Sequence, residues 1–336
     1  MAGFTLGVAL LLGLQAEAAP LASPPTETVV PGPISPSTVK PPEVPPPLPV
    51  ELEELAVTAP EPHFVAPTNR DRIGRIWAPV LINGQGPFRL VLDTGASHSA
   101  LTAQVVQTLG IVDDGKHKVT LRGATGSAIV PMIPIESLEV GELLMEPRRL
   151  PVVPDALGGA EGVLGMDGFD NKRIFIDFRH DRITIMRSRS ERAAQGFVTV
   201  PVKFMRGRLL VVDAWLGGVK VKAIIDTGGQ ATLGNRALRD ALAERRRRQD
   251  AAALPDQVTG ATLDVQEGNR IATPSLAMGD VLVRNAAMTF ADFEIFQHWK
   301  MTEEPAMLIG MDVLGLLDTL VIDYRRKELQ MKLRRG

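Results

Sequence analysis

Short runs of Val, Ile and Leu bounded by Gly, Pro and Asn recur from about residue 70 to the carboxyl terminus, the pattern of strands that end in tight turns. Val80–Ile82, Phe88–Leu92, Val211–Trp215 and Val219–Ile225 read as strands in this way. Helical periodicity is scarce: Ala100–Leu109, stopped by Gly110, and Asn235 to about Arg248 are the two segments that carry it. The pattern predicts an all-β body with a few short helices. Upstream it changes character. Residues 2–14 are apolar apart from Thr5, fewer than the roughly 20 residues needed to span a bilayer. Ala16-Glu17-Ala18 then offers a small-x-small cleavage site, so 1–19 reads as a signal peptide, or as an amino-terminal anchor if uncut, although no Lys or Arg precedes the apolar run. The expected location is exported, periplasmic or secreted. Residues 20–68 hold most of the chain's proline, 15 of 26. Such a composition favours extended polyproline II over packing, and a disordered linker of this kind reaches about 150 Å.

The body repeats itself. Leu90-Val91-Leu92-Asp93-Thr94-Gly95 is echoed 133 positions later by Ala223-Ile224-Ile225-Asp226-Thr227-Gly228. Gly123-Ala124-Thr125 returns as Gly260-Ala261-Thr262, and Leu138–Gly141 returns loosely as Leu276–Gly279. Val163-Leu164-Gly165-Met166-Asp167 matches Leu308-Ile309-Gly310-Met311-Asp312, and Ile176–Arg179 matches Ile322–Arg325. The offset only grows along the chain, as loop insertions require. The organisation is therefore two homologous lobes, 69–188 and 198–336, joined by a polar linker at 189–197, each of ordinary domain size.

A strand ending in Asp-Thr-Gly delivers a carboxylate at a turn, with Gly permitting the bend and Thr supplying a bracing hydroxyl. Two copies related by an approximate two-fold axis bring Asp93 and Asp226 together, where like charges at close range share one proton. Such a pair activates a water with one carboxyl and polarises a carbonyl with the other. With these motifs the chain resembles the retropepsin-like, retroviral-type aspartic proteases, in a single-chain two-lobed arrangement similar to that of pepsins. The resemblance covers about 80–336 and implies acid-protease β-barrel lobes with a cleft between them. It also implies Asp93 and Asp226 as catalytic residues, with Thr94, Gly95, Thr227 and Gly228 supporting their loops. Gly123, Ala124, Thr125 and Gly126 would form a flap over bound peptide, and Ser97 and Gln230, which differ between the lobes, would contact substrate. The second hairpin, near Gly260–Asn269, looks less regular, leaving open which lobe supplies the working flap. Pepsins place Ser or Thr after the motif, whereas this chain has Ala96 and Gly229. The missing hydroxyls predict carboxyls less acidic than a gastric enzyme's and activity nearer neutral pH.

Composition removes several alternatives. A net charge of -2 gives no long-range attraction to nucleic acid. The chain has no cysteine, and its five histidines lack metal-ligand spacing, so neither a metal nor a cofactor is expected. Ser97-His98-Ser99 lacks the second Gly of a nucleophile elbow. Gly158–Gly168 lacks the Lys-Ser/Thr ending of a phosphate loop. The run Arg245–Arg248 reads as a solvated helix end, where cations complement the dipole. The expectation is a monomer acting on protein or peptide substrates, with a possible tether to a membrane through the amino terminus. Its rival is a catalytically silent peptide-binding module of the same fold.

Overall fold

Each Asp-Thr-Gly motif ends the second strand of a hairpin, and the hairpins are built by turn chemistry legible in the sequence. In the computed structural model Ile76–Ile82 pairs with Gln85–Leu92 through Asn83-Gly84, both at positive φ. Leu209–Leu216 pairs with Val219–Ile225 through Gly217-Gly218, also both at positive φ, the backbone that a two-residue hairpin turn requires. The structure describes residues 75–334 except 142, 156, 190, 207 and 247–252, together with the strand segments Leu6–Ala9, His63–Pro67 and Asn69–Arg70. The proposed cleavage site at Ala16–Ala18 and nearly all of the Pro-rich linker lie outside the described residues.

Both lobes repeat one plan. A short strand threads back beside the motif: Gly162–Leu164 runs parallel to Leu90–Leu92 and antiparallel to Ala100–Leu101. Its counterpart, Ala306–Ile309, runs parallel to Lys222–Ile225 and antiparallel to Leu233–Gly234. The loose repeat at Leu138 and Leu276 forms matched small hairpins, 138–145 and 276–283, turned by Gly141 and Gly279 at positive φ. Two long hairpins, Lys118–Arg122 with Ser127–Pro134 and Leu254–Gly260 with Val265–Ala272, project from the lobes. The second is a continuous ladder from Leu254↔Arg270 to Thr259↔Val265, more regular than its sequence suggests.

The lobes join through a six-stranded sheet. Lys172–Asp177 of the first lobe pairs antiparallel with Leu317–Asp323 of the second, and Arg182–Arg187 and Glu328–Leu333 flank them. Ile174, Ile176, Ile183, Ile185, Leu320, Ile322, Leu329 and Met331 are buried on it. At about 1.5–3 kcal/mol per buried aliphatic side chain, this layer contributes substantially to holding the two repeats together. The repeated Ile-Asp-aromatic-Arg segments, 176–179 and 322–325, are thus strand ends of a shared sheet.

Three sequence expectations change. Ala100–Thr102 is strand, and only Ala103–Thr108 is helical, because Leu101 has ladder partners on both sides, Val152 and Gly162, and is fully buried. The second helix begins at Arg236, with Asn235 Oδ1 accepting from Leu238 N, and is described through Arg246; Arg247 and Arg248 lie outside the described residues. His63–Pro67, within the segment read as linker, adds an edge strand to Arg182–Met186 of the six-stranded sheet, a position that tolerates proline. Leu6–Ala9 pairs in parallel with Gln257–Gly260. No helix among the described residues is long and apolar enough to cross a membrane.

Candidate active site

Strand parity decides which residues share a face with the two carboxyls. Val91 shares a face with Asp93, and Ile224 with Asp226, because side chains alternate along a strand. Their neighbours Leu90, Leu92, Ala223 and Ile225 point the other way into the main core. Asp93 is fully buried and Asp226 is 1% exposed. Each is fixed by its own turn. Asp93 Oδ1 accepts from the N–H groups of Gly95 (2.7 Å) and Ala96 (3.0 Å), and Asp226 Oδ1 accepts from Gly228 (3.0 Å) and Gly229 (2.9 Å). The threading strands hold the backbone from behind: Asp93 N donates to Leu164 O and Asp226 N to Ile309 O, both at 3.0 Å.

The threonines tie the two loops together. Thr94 Oγ1 donates to Ile225 O and Thr227 Oγ1 to Leu92 O, both at 2.7 Å. Each hydroxyl also accepts the other threonine's backbone N–H, at 3.1 Å. Four buried hydrogen bonds therefore span the lobe boundary directly beneath the carboxyls. The glycines set the closeness of approach. A side chain on Gly228 would collide with the Asp93 carboxyl, and a Cβ on Gly229 would stand 2.6 Å from Asp226 Oδ2. The loop of one lobe is packed on the carboxylate of the other.

Burial raises both acids. Desolvation, then the charge of Asp226, push the Asp93 carboxyl well above the ordinary aspartate value against the pull of its two N–H donors. Asp226 is pushed up to about 7 by desolvation, opposed by the N–H groups of Gly229 and Gly228, by a hydrogen bond with Asp93 and by the charge of Arg75. Outside the pairing with Asp226, Asp93 Oδ2 has no donor. Two carboxyls so placed can share a proton and hold an acceptor oxygen with no other donor, the arrangement needed to activate a water and polarise a carbonyl.

These matched motifs have a family counterpart: a model of aspartyl proteases matches residues 78–167 and 212–313, one stretch in each lobe. The chain belongs to the aspartyl protease family. No individual curated protein matches it. As an aspartyl protease fold the body is all-β, with two retropepsin-like lobes in one chain.

The remaining motif residues are now placed. Asp167 Oδ1 accepts from Ser99 N and Oγ, and Asp312 accepts from Thr232 N and Oγ1, so these two repeat-related aspartates brace the loops locally. Gly165 and Gly310 lie where any side chain would strike the backbone of residues 98–99 and 231. Ser97 Oγ and His98 Nδ1 are 3.0 Å apart, but burial holds the imidazole below its ordinary value and the adjacent Asp167 is engaged with Ser99. Gln230 is half-buried, and its Oε1 has no hydrogen-bond partner. Tyr324 is buried and stacks on Phe204 at 5.4 Å, away from the hairpin tips. The described residues hold no cluster of three or more metal-ligating side chains.

Both lobes contribute a hairpin whose tip packs beside the strands that carry the pair, and the tips interlock. Gly123, Ala124, Thr125 and Gly126 are all buried. Thr125 Oγ1 donates to Asp264 O at 2.7 Å, and Ala124 O accepts from Ile295 N at 3.3 Å. Ala124 packs into a second-lobe cluster with Ile224, Leu308, Phe293, Phe296 and Trp299. Ala261 packs reciprocally into a first-lobe cluster with Val91, Val153, Leu157 and Val163. Ala261 and Asp264 fall in the second hairpin, which sequence reasoning left open as a flap; it missed the helix Glu294–His298 that receives the first tip, and two arginines. Arg208 crosses the boundary, donating to Met166 O at 2.8 Å and pairing with Asp170. Arg75 is fully buried and donates to Leu157 O at 2.6 Å. The signal was available: Gly-Arg stands at 74–75 and again at 207–208, the offset of the Asp-Thr-Gly repeat.

Proposed function

We propose that this aspartyl protease is an aspartic endopeptidase whose Asp93/Asp226 pair activates a water for hydrolysis of peptide bonds. The observation that carries this reading is the pair of buried carboxyls, each held by two N–H donors of its own Asp-Thr-Gly turn and raised in pKa by burial. The ionised carboxyl takes a proton from the water while the protonated one donates to the scissile carbonyl. The tetrahedral intermediate then collapses as the proton is returned to the leaving amine. No group beyond the two carboxyls is required, and both halves of the site lie in one chain, consistent with a monomer.

The substrate is an extended segment of an exported protein, laid between the pair and the two hairpin tips. Export rests on the apolar 2–14 segment and the small-x-small site after it, with a membrane tether if the segment is retained. Working pH near neutral fits the Ala96 and Gly229 positions, which supply backbone N–H groups but no hydroxyl to deepen the acidity of either carboxyl. The test is cleavage of a denatured-protein peptide mixture by the full chain from pH 3 to 8, read by mass spectrometry. Wild type should cut, while Asp93→Asn and Asp226→Asn should each lose at least about a thousandfold in rate with the fold intact. Peptide binding without turnover by wild type would replace the hydrolytic reading with a silent binding module.

A further inference from the structure

The two long hairpins end their sheets at repeat-related edges, and the two edges differ in what lies along them. Lys118–Arg122 closes one end of its sheet, and among the described residues no strand pairs with its other side. Leu254–Gly260 is covered instead by Leu6–Ala9, which runs parallel to it from Leu6↔Gln257 to Ala9↔Gly260. Gly260 spends its N–H on Asp264 O and its C=O on Leu263 N, both inside the hairpin. Counting back by two, Val258 and Asp256 also turn inward, so the N–H and C=O groups of Gln257 and Thr259 turn outward. Pro255, the next outward position, has no N–H to give, and the ladder begins just past it at Gln257. In a parallel ladder each outward residue bonds the neighbours of the residue it faces, so Gln257 and Thr259 both reach Gly7, and Thr259 also reaches Ala9. Charge separates the two edges as well. Aligning Gly123 with Gly260 sets Lys118 and Arg122 of the first edge against Pro255 and Thr259 of the second. Cations on an edge strand keep other strands off. Within 254–260 the only charged residue is Asp256, which is buried and accepts from Thr289 Oγ1.

We propose that the outer edge of the second hairpin, Gln257–Gly260, is a docking site for an uncharged, aliphatic extended segment running parallel to it, and that the chain's own Leu6–Ala9 fills it in competition with peptide substrate. The competition rests on the reading of the two carboxyls as the hydrolytic pair; the docking does not. Residues 6–9, Leu-Gly-Val-Ala, carry no charge, which suits an edge that presents none. Ala9 lies opposite Gly260, one position before the tip alanine Ala261, which packs with Val91 and Ala96 on either side of Asp93 in the chain. A substrate strand reaching from the pair toward this tip meets the same outward groups of Gln257 and Thr259, so the two segments cannot occupy the edge together. Residues 6–9 are also part of the segment that reads as a signal peptide. While they lie on the hairpin they are outside any membrane, and a chain cut after Ala18 has this edge bare.

The test is residue-resolved hydrogen exchange on the full chain, comparing wild type with the double variant Gly7→Pro/Ala9→Pro, which removes both N–H groups that reach the edge. In wild type the amides of Gln257 and Thr259 should exchange slowly. In the double variant they should quicken by about tenfold or more, while Val258 and Gly260, bonded inside the hairpin, keep their wild-type rates. A synthetic peptide of residues 4–11 with a lysine tail for solubility should restore slow exchange when added to the double variant, and the same peptide carrying Gly7→Pro and Ala9→Pro should not. Fast exchange of Gln257 and Thr259 in wild type, or rates unchanged in the double variant, would overturn the docking, as would equal quickening at Val258 and Gly260. In cleavage assays the double variant should show a KM lower by about threefold or more at unchanged kcat, and the 4–11 peptide should raise it again. An unchanged KM in an active double variant overturns the competition. Absence of cleavage by every form counts against the hydrolytic reading, and the exchange rates still decide the docking.

Discussion

Two N–H donors on a carboxylate ordinarily make it more acidic, yet both Asp93 and Asp226 are raised, because complete burial outweighs the hydrogen bonds. The sign of the consequence follows from linkage. Between the unfolded value of 3.8 and the folded value of about 7 for Asp226, the folded chain keeps a proton that the unfolded chain has released. That contribution to stability is complete below the unfolded value and is lost as pH climbs through the folded one. Thermal unfolding followed by circular dichroism should show Tm falling from pH 4 to pH 8, and Asp226→Asn should flatten the dependence. A Tm that rises across this range would contradict it. Gly228 offers a second check at this scale. Its substitution by Ala directs a methyl group into the Asp93 carboxyl, so Gly228→Ala should abolish cleavage while Gly84→Ala, at a position with open space around it, should leave the rate intact at a modest stability loss from its positive φ. Asp93, Asp226, Thr94 and Thr227 were legible as site residues because two copies of one motif stand in matched flanks. Arg75 was marked only by a Gly-Arg pair at the repeat offset, and its burial depends on a register shift at Leu81 that no local pattern announces.

Elements of the two repeats meet through hydrogen bonds that neither could make alone. Each threonine hydroxyl donates to a carbonyl and accepts an N–H of the opposite loop, so removing one leaves two buried backbone groups without partners. Thr94→Val or Thr227→Val should each destabilise the fold by about 2–4 kcal/mol, each removing two different bonds of the four, and the double variant should depart from the sum because the two loops pack on each other as one network. Urea unfolding of the three variants measures this; strict additivity would show the two hydroxyls to act independently. The strands beside the motif were readable from alternation and turn residues. The hairpin turns at Asn83-Gly84 and Gly217-Gly218 were equally readable. The strand at Ala100–Thr102 was not, because an Ala-Leu-Thr segment carries no periodicity of its own and takes strand geometry from the partners Val152 and Gly162 on either side.

At the scale of the whole molecule, the buried pair lies beneath two interlocked hairpin tips, each with an alanine seated in the opposite lobe's wall. If the pair is the hydrolytic site proposed above, substrate entry requires these tips to part. The chain has no cysteine, so an engineered pair would be its only thiols. A Cβ on Gly260 would stand 3.4 Å from Thr125 Cβ, close to disulfide spacing. Thr125→Cys combined with Gly260→Cys should therefore lose peptide cleavage on oxidation and regain it on reduction, with each single variant insensitive to redox state. Full activity of the oxidised form would show that the tips need not separate. The sequence by itself determined the repeat, the all-β character, the family and the two aspartates, because these reside in local alternation, turn residues and a motif present twice. Only the tertiary structure decided that the two hairpin tips interlock and that residues of one lobe brace the other. Apart from the Arg208 contacts with Met166 and Asp170, those are contacts between segments more than 100 positions apart, and their register is set by strand pairing and burial across the lobe boundary, which no window of sequence contains.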